Sequence, residues 1–425
     1  MTQVLLILAL VFGMTMLAAG AVRLLMVPFA VWFEARNRPP PPGTPPQAGT
    51  WFDHPGRTAP PSVSIIVPAY NEAVVLDNCV RSIARSHYPG LEVICVDDGS
   101  TDDTYSQLQA LAAELPGVRV FTQPNSGKGA ALNRGIRHAT GEVLMLVDAD
   151  GIFAPDTVTE MVRAFTDERI GAVCGDDRPV NLDHVQTRFL ALISHLGTGL
   201  MRRALSALHC LPVVSGNIGA FRRDVLERTG PLSEDTVGED LELTWRVYRA
   251  GYRAAFAPRA LVHAESPSTP GTLWKQRVRW ARGLLQTIGL HADMTGNLRY
   301  GAFGAYLVLN LVTQVLGPVM QVAGLALLVL VAALGEPGAL PASPWELLLF
   351  LSLPLTLALL LLAVLLDRAP GDLRHAWTLP LWPFYSTLMS LVMLRAMWLE
   401  LRGAENRWNK MERSGTVSVD TGQGP

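Results

Sequence analysis

From Ser62 to about Phe165, short β-branched runs alternate with stretches of helical period. Val63–Val67, Leu91–Val96, Val118–Phe121 and Val143–Val147 are near-continuously apolar, the pattern of buried parallel strands. Ala73–Ser86, Asp102–Leu115, Ala130–His138 and Asp156–Phe165 carry the intervening helical pattern. This alternation predicts a doubly wound α/β sheet, whose ligands lie beyond the carboxyl ends of the strands. The polar clusters fall at those ends. Pro68-Ala69-Tyr70-Asn71-Glu72 follows the first strand, Asp97-Asp98-Gly99-Ser100 the second and Asp148-Ala149-Asp150-Gly151 the fourth.

Toward the two ends of the chain the alternation gives way to long apolar stretches. Leu5–Ala21 is uncharged, and up to Phe33 only Arg23 interrupts it; Gly301–Leu334, Trp345–Leu366 and Trp377–Leu394 are nearly charge-free. Roughly 20 apolar residues cross a bilayer. The organisation expected is a transmembrane helix at 1–34, a proline-rich, unpacked linker at 35–61 and a cytosolic globular domain at 62–272. Interfacial amphipathic helices at 273–298, a C-terminal transmembrane region at 299–400 and a polar tail at 401–425 follow. A cleaved signal peptide is the other reading of the N-terminus, but basic residues follow the apolar run instead of preceding it. The positive-inside rule places the N-terminus outside and the globular domain in the cytosol, on a multi-pass protein of the cell membrane. Gly301–Leu334 reads as one span with a kinked entry near Gly317-Pro318, making four spans in all. That count leaves Arg395, Arg402, Arg407, Lys410 and Arg413 outside, against the same rule.

Composition narrows the picture a little. Apolar residues make up 49% of the 425 and the net charge is −2, so bulk electrostatics favours no nucleic-acid partner. Cys79, Cys95, Cys174 and Cys210 lack CxxC spacing and read as unpaired thiols. His209 and His263 show no ligand spacing and read as structural.

Five motifs carry candidate chemistry. Asp148-x-Asp150 closes an apolar strand, where two carboxylates two residues apart reach one hard divalent cation and a diphosphate on it; a solvated turn is the plain alternative. Gly238-Glu239-Asp240 opens an amphipathic helix, where a carboxylate either accepts a proton or merely caps the helix. In Trp274-Lys275-Gln276-Arg277-Val278-Arg279-Trp280, helical spacing puts Gln276, Arg279 and Trp280 on one face. That face suits a diphosphate and a stacked sugar; an interfacial helix with headgroup-level indoles is the competing reading. Asp97-Asp98-Gly99 offers acceptors for a base N–H, with Gly99 permitting close backbone approach, or else an N-cap beside Ser100. Asn125-Ser126-Gly127-Lys128-Gly129 is an anion cradle or a simple turn. Together these residues suit transfer of a sugar from a diphosphate leaving group to a hydroxyl.

In this order the motifs resemble the membrane-integrated inverting glycosyltransferases of glycosyltransferase family 2, which include cellulose, hyaluronan, chitin-oligosaccharide and poly-N-acetylglucosamine synthases. The stretch from Glu239 through Tyr252-Arg253, Pro258-Arg259-Ala260-Leu261 and Trp274-Lys275-Gln276 is most similar to the poly-β-1,6-N-acetylglucosamine branch. The resemblance implies a GT-A fold. It implies that Asp97 and Asp98 hold a uridine, Asp148 and Asp150 the diphosphate with Mg²⁺ or Mn²⁺, and that Tyr70, Glu72 and Lys128 line the nucleotide pocket. Asp240 is implied as general base, with Glu239, Gln276, Arg279 and Trp280 on the substrate side. The expected activity is inverting transfer from a UDP-sugar, UDP-N-acetylglucosamine first, to a growing β-linked polysaccharide at the bilayer. A single addition to a lipid acceptor and a non-catalytic membrane receptor are the alternatives. The family usually has Thr or Glu where Gly238 stands. One apolar span before the domain, where several synthases have more, points to a small membrane or export partner.

Overall fold

The computed structural model describes residues 20–41, 43–333, 344–405 and 415; most of the first apolar run, the 335–343 connection and nearly all of the polar tail lie outside them. Helix α1 (20–36) leads into a strap and then an eight-stranded sheet. The first half runs β1 Val63–Ala69, α2 Leu76–Ala84, β2 Leu91–Asp97, α3 Thr104–Glu114, β3 Val118–Thr122, α4 Lys128–His138 and β4 Val143–Leu146. These strands pair in parallel, as their unbroken apolar runs demand. Alternate residues serve opposite faces. Ile65 and Val67 meet α2 and α3 through Leu76, Ile83 and Leu108, while Ile66 and Ile94 meet α4 through Ala131 and Leu132.

The second half departs from the parallel expectation. It contains β5 Ile152–Phe153, α5 Thr157–Arg163, β6 Ile170–Pro179, α6 Val185–Ser194, α7 Met201–Ala207, β7 Gly219–Arg222, α8 Arg223–Thr229, α9 Glu239–Arg249 and β8 Arg253–Ala264. The sheet order is β3-β2-β1-β4-β7-β6-β8-β5, with β7 antiparallel to both β4 and β6, so the sheet is mixed. These late strands offer weaker signals: β5 has two residues, β7 four, β6 ends in Asp176-Asp177-Arg178-Pro179 and β8 carries Pro258 and Arg259.

The proline-rich segment is a correction. It packs, because it contains two aromatic residues: Phe52 is buried in the core, and the Trp51 N–H donates to the Phe165 carbonyl at 2.6 Å. Arg57 makes a two-toothed pair with Glu142 at 3.0 and 2.7 Å, and the Arg222 guanidinium lies over the Trp51 ring.

Beyond the sheet, α10 is one helix, Pro270–Leu290, started by Thr269 in a capping box with Thr272 and by Pro270 in its first turn. Next come α11 Gly301–Asn310, a π-helical turn at Leu311–Leu316 just before Gly317-Pro318, and α12 Gly317–Ala333. Among the described residues, Leu298–Leu327 is the one helical stretch long and apolar enough to cross a membrane. Helix α13, Pro344–Leu366, precedes a 3₁₀ segment, Pro370–Leu381, and α14, Trp382–Leu401. The expected span Trp377–Leu394 is therefore two elements, broken where Pro380 and Pro383 interrupt regular hydrogen bonding.

Candidate active site

The carboxyl ends of β1, β2 and β4 open on one side of the sheet, and the loops there are stitched together. Asn71, with φ of 54°, accepts from the Thr101 N–H at 2.7 Å and donates its own N–H to the Ser100 hydroxyl at 2.9 Å. The Glu72 N–H reaches Thr104 Oγ1 at 2.8 Å, and the Glu72 side chain is buried; Tyr70 is half-buried beside it. Asp97 and Asp98 are both buried. Asp97 accepts from the Thr122 hydroxyl at 3.0 Å and the Ser100 N–H at 3.2 Å. Asp98 accepts from Gln123 Nε2 at 2.8 Å and from the Ser126 and Gly127 N–H groups at 2.9 and 2.8 Å. Asp98 thus holds the loop that starts α4. Gly99 has φ of +72°, and a Cβ there would stand 2.7 Å from the Asn125 nitrogen, so its close approach is to that same loop.

The loop so held delivers Lys128. Its Nζ lies 2.6 Å from Asp148 Oδ1 and 3.0 Å from Glu239 Oε1, bringing three motifs from distant parts of the chain to one ammonium. Burial opposes the charge of Lys128, but Asp148, Glu239 and Asp240 raise its pKa well above the ordinary value. Asp150, two residues beyond Asp148, is buried. The Cys79 Sγ lies 3.7 Å from the Asp148 carbonyl, and after burial itself the neighbouring Cys95, Asp150 and Asp148 push this thiol up further.

Asp240, in the first turn of α9, accepts from the Gly216 N–H at 2.9 Å and the Leu241 N–H at 2.8 Å. Its carboxyl is raised above the usual range, first by burial and then by Glu239, with Lys128 acting the other way. Gly216 escaped the sequence reading. A Cβ at that position would meet Lys128 Nζ at 2.8 Å and Asp240 Oδ2 at 3.3 Å, so a side chain there would displace the Lys128 ammonium from its place beside Asp240. Its one signal was a Ser215-Gly216-Asn217 turn preceding β7.

Helix α10 brings Gln276, Arg279 and Trp280 as expected from helical spacing. Gln276 and Arg279 are half-buried, whereas Trp280 is 47% exposed with the Arg277 guanidinium 4.1 Å from its ring centroid. The helix closes on the loop before α9 one turn later. A Cβ on Gly283 would stand 2.9 Å from the Gly238 Cα, and the converse is equally tight. Gly238 is therefore required by helix packing, which accounts for its place beside Glu239-Asp240.

Among the described residues no group of three or more His, Cys, Asp or Glu side chains could hold a metal ion by itself, so a divalent cation here would rest on two carboxylates and its substrate. Asp148 and Asp150 share a strand end, and a small hard cation takes one or two carboxylates plus substrate phosphate oxygens. The Lys128 ammonium already rests on Asp148 where positive charge is favoured.

A mixed sheet, polar loops at its carboxyl edge and this carboxylate arrangement define a GT-A fold. Residues 64–230 match the family model described as glycosyl transferase family 2. It is similar to poly-beta-1,6-N-acetyl-D-glucosamine synthases, with 31% identity to the Staphylococcus epidermidis protein over 222 residues, 52% of this chain and 54% of that one. The probable glycosyltransferase YdaM of Bacillus subtilis is 33% identical over 231 residues, 52% of this chain and 55% of that one. The match spans about half the length of these relatives. Among solved structures, a mannosyltransferase from Pyrobaculum calidifontis in complex with GDP-Man and Mn²⁺ superposes with a TM-score of 0.64 at 25% identity, over 94% of this chain and 100% of that one.

Proposed function

We propose that this protein is a membrane-integrated inverting synthase that adds sugars from a UDP-sugar, UDP-N-acetylglucosamine first, to a β-linked polysaccharide. The observation that carries it is the Lys128 ammonium spanning Asp148 and Glu239, which gathers the Asp148/Asp150 pair and the raised Asp240 carboxyl in one buried place.

Asp240 takes the proton of the acceptor hydroxyl as that oxygen attacks the anomeric carbon, and the bond from that carbon to the diphosphate oxygen breaks. A single displacement inverts the configuration, turning an α-linked donor into a β-linkage. A pKa above the carboxylate norm makes Asp240 a stronger base than a free aspartate. Asp148 and Asp150 would hold Mg²⁺ or Mn²⁺, which neutralises charge developing on the diphosphate. Arg279 and Gln276 add donors for the leaving group, and Trp280 offers a face to the acceptor sugar. Asp97 would accept from the uridine base, in the pocket bordered by Tyr70 and Glu72, while Asp98 keeps the Lys128 loop in place.

Attachment to the bilayer is supported by where apolar surface lies. Outside α1 and the chain from Leu298 onward, the exposed large apolar side chains among the described residues are Val74, Val185, Trp280 and Leu290.

The test offers isolated membranes a panel of UDP-sugars and GDP-mannose, then sizes the product by mass spectrometry. A water-soluble polymer from a UDP-sugar is the expected result. The likeness over almost the whole chain to a mannosyltransferase in complex with GDP-Man keeps GDP-mannose in the panel, and the second reading is a single sugar placed on a lipid. A chloroform-extractable product bearing one sugar would establish that reading instead, and metal-dependent nucleotide binding without turnover would leave a receptor.

A further inference from the structure

We propose that Glu400, on α14, is a positioning residue for this reaction: it holds the loop carrying the base and the helix carrying Gln276, Arg279 and Trp280 in one register. The proposal rests on the reading of Asp240 as the base.

The connection runs through one amide. Gln286 Nε2 donates to both Glu400 carboxylate oxygens at 3.1 and 3.2 Å, while Gln286 Oε1 accepts from the Thr236 hydroxyl at 3.0 Å and the Val237 N–H at 3.1 Å. A carboxylate only accepts, so Glu400 dictates which end of the Gln286 amide faces it. The carbonyl is thereby turned to the loop, where it anchors the residues just before Gly238, Glu239 and Asp240. The Thr236 hydroxyl in turn accepts from the Gly238 N–H at 3.2 Å.

A second tie holds α10 from the same carboxylate. The Arg282 Nε donates to Glu400 Oε1, and its terminal nitrogens donate to the Ala404 and Glu405 carbonyls at 2.7 and 3.1 Å. Arg282 is buried, which makes the pairing strict. Behind these bonds Val278 and Ala281 pack on Val392, Met393 and Ala396 of α14. Arg279 and Trp280 precede Arg282 on α10 by less than one turn, and Gly283 abuts Gly238. A displacement of α10 or of its loop therefore changes the spacing between the base and the proposed leaving-group donors. Misplacement of about 1 Å costs on the order of 100-fold in rate.

Two variants separate positioning from simple docking of α14. Glu400→Leu removes both ties. Gln286→Leu cuts the bridge to the loop and leaves the Arg282–Glu400 pair intact. Measured on the full-length protein in detergent with the donor that the wild type turns over, both are expected to lose at least about tenfold in kcat. Donor KM and UDP affinity should stay within about twofold. Combining them should add little to Glu400→Leu alone, because that variant already breaks the path through Gln286. Glu400→Gln, which keeps an acceptor for Arg282 and Gln286, should recover most of the rate. Hydrogen exchange gives a readout free of turnover: the Val237 amide should exchange faster in both variants. Unchanged kcat in Gln286→Leu, a parallel fall in UDP affinity, or an unchanged Val237 amide would each overturn the proposal. A wild type that turns over no donor would sink the proposed function instead, with the exchange result still deciding whether Glu400 orders the loop.

Discussion

At the scale of single residues, the site is a balance of charges around Lys128, and each member has its own signature. Asp150→Asn and Asp240→Asn should both abolish turnover but differ in binding. Loss of a charged ligand to a hard cation should weaken metal-dependent UDP binding in the first. The second should bind UDP almost as the wild type, because its carboxylate acts on the acceptor. Isothermal titration of UDP with metal decides it, and equal losses would defeat the assignment. The acid limb of the pH–rate profile reports the base directly. As the proposed base Asp240 would work deprotonated, and its pKa is raised, so activity should fall on acidification at a pH above the ordinary aspartate value of about 4. Glu239 raises that pKa and Lys128 lowers it. Glu239→Gln should therefore move the limb to lower pH and Lys128→Met to higher pH, whatever either does to the maximum rate. Movement in the same direction would mean that another group is being titrated.

At the scale of elements, two contacts between helices and the domain make separate claims. Helix α10 crosses the base loop with glycine against glycine, Gly283 on Gly238. Gly283→Ala should cost about 1–3 kcal/mol by overpacking and depress kcat. Gly289→Ala on the same helix meets nothing within 4 Å and should instead be neutral or slightly stabilising. Thermal midpoints of the two variants check this. The other contact is a buried ionic knot below α13. His195, in a π-helical turn between α6 and α7, lies 2.6 Å from an Asp367 oxygen and 3.0 Å from one of Asp372, and Arg203 bridges Asp367 to Glu34 of α1. Burial alone would lower the His195 pKa, but the bonds to Asp367 and Asp372 outweigh it and push it up to about 9. A histidine raised on folding stabilises fully below its unfolded pKa of about 6.5 and loses that contribution as pH rises through about 9. The melting temperature should fall across that window in the wild type and change less steeply in His195→Gln.

The whole molecule is organised around the side of the domain that bears α1, α10 and α14. Both ends of α14 return to it. The Trp382 ring packs on Phe189 of α6 with centroids 6.4 Å apart, and Glu400 pairs with Arg282 of α10. Arg395 and Arg402 both lie over the Trp398 ring, at 4.2 and 4.0 Å, on the exposed side of the helix. An outward arginine that far into the helix belongs at headgroup level. That leaves about 13 residues before it, roughly 20 Å of helix against a hydrocarbon core of about 30 Å. An interface-lying α14 would put the chain end on the catalytic side, in place of the fourth span expected from the sequence. A reporter fused after Pro425 should then be active only in the cytosol, in keeping with the basic residues near it. Activity on the outer side would restore the four-span count.

Local pattern was sufficient for the first four strands, for their helices and for the motifs at the strand ends, because each is a contiguous signal. A buried parallel strand announces itself by a run of β-branched residues, and a ligand loop by the polar cluster that ends it. The same holds for α10, whose start is written in Thr269-Pro270 and whose face follows from a period of 3.6 residues. Tertiary structure alone decided what depends on partners far along the chain. The direction of β7, the burial of Trp51 and Phe52, and the position of Gly216 between Lys128 and Asp240 leave no trace in neighbouring residues. Asp98 clamps a loop 28 residues away, since a buried carboxylate takes whatever N–H donors the fold brings to it. Charge pairs such as Lys128 with Glu239, or Arg282 with Glu400, are set by the packing of helices distant in sequence, which residue identity and spacing do not encode.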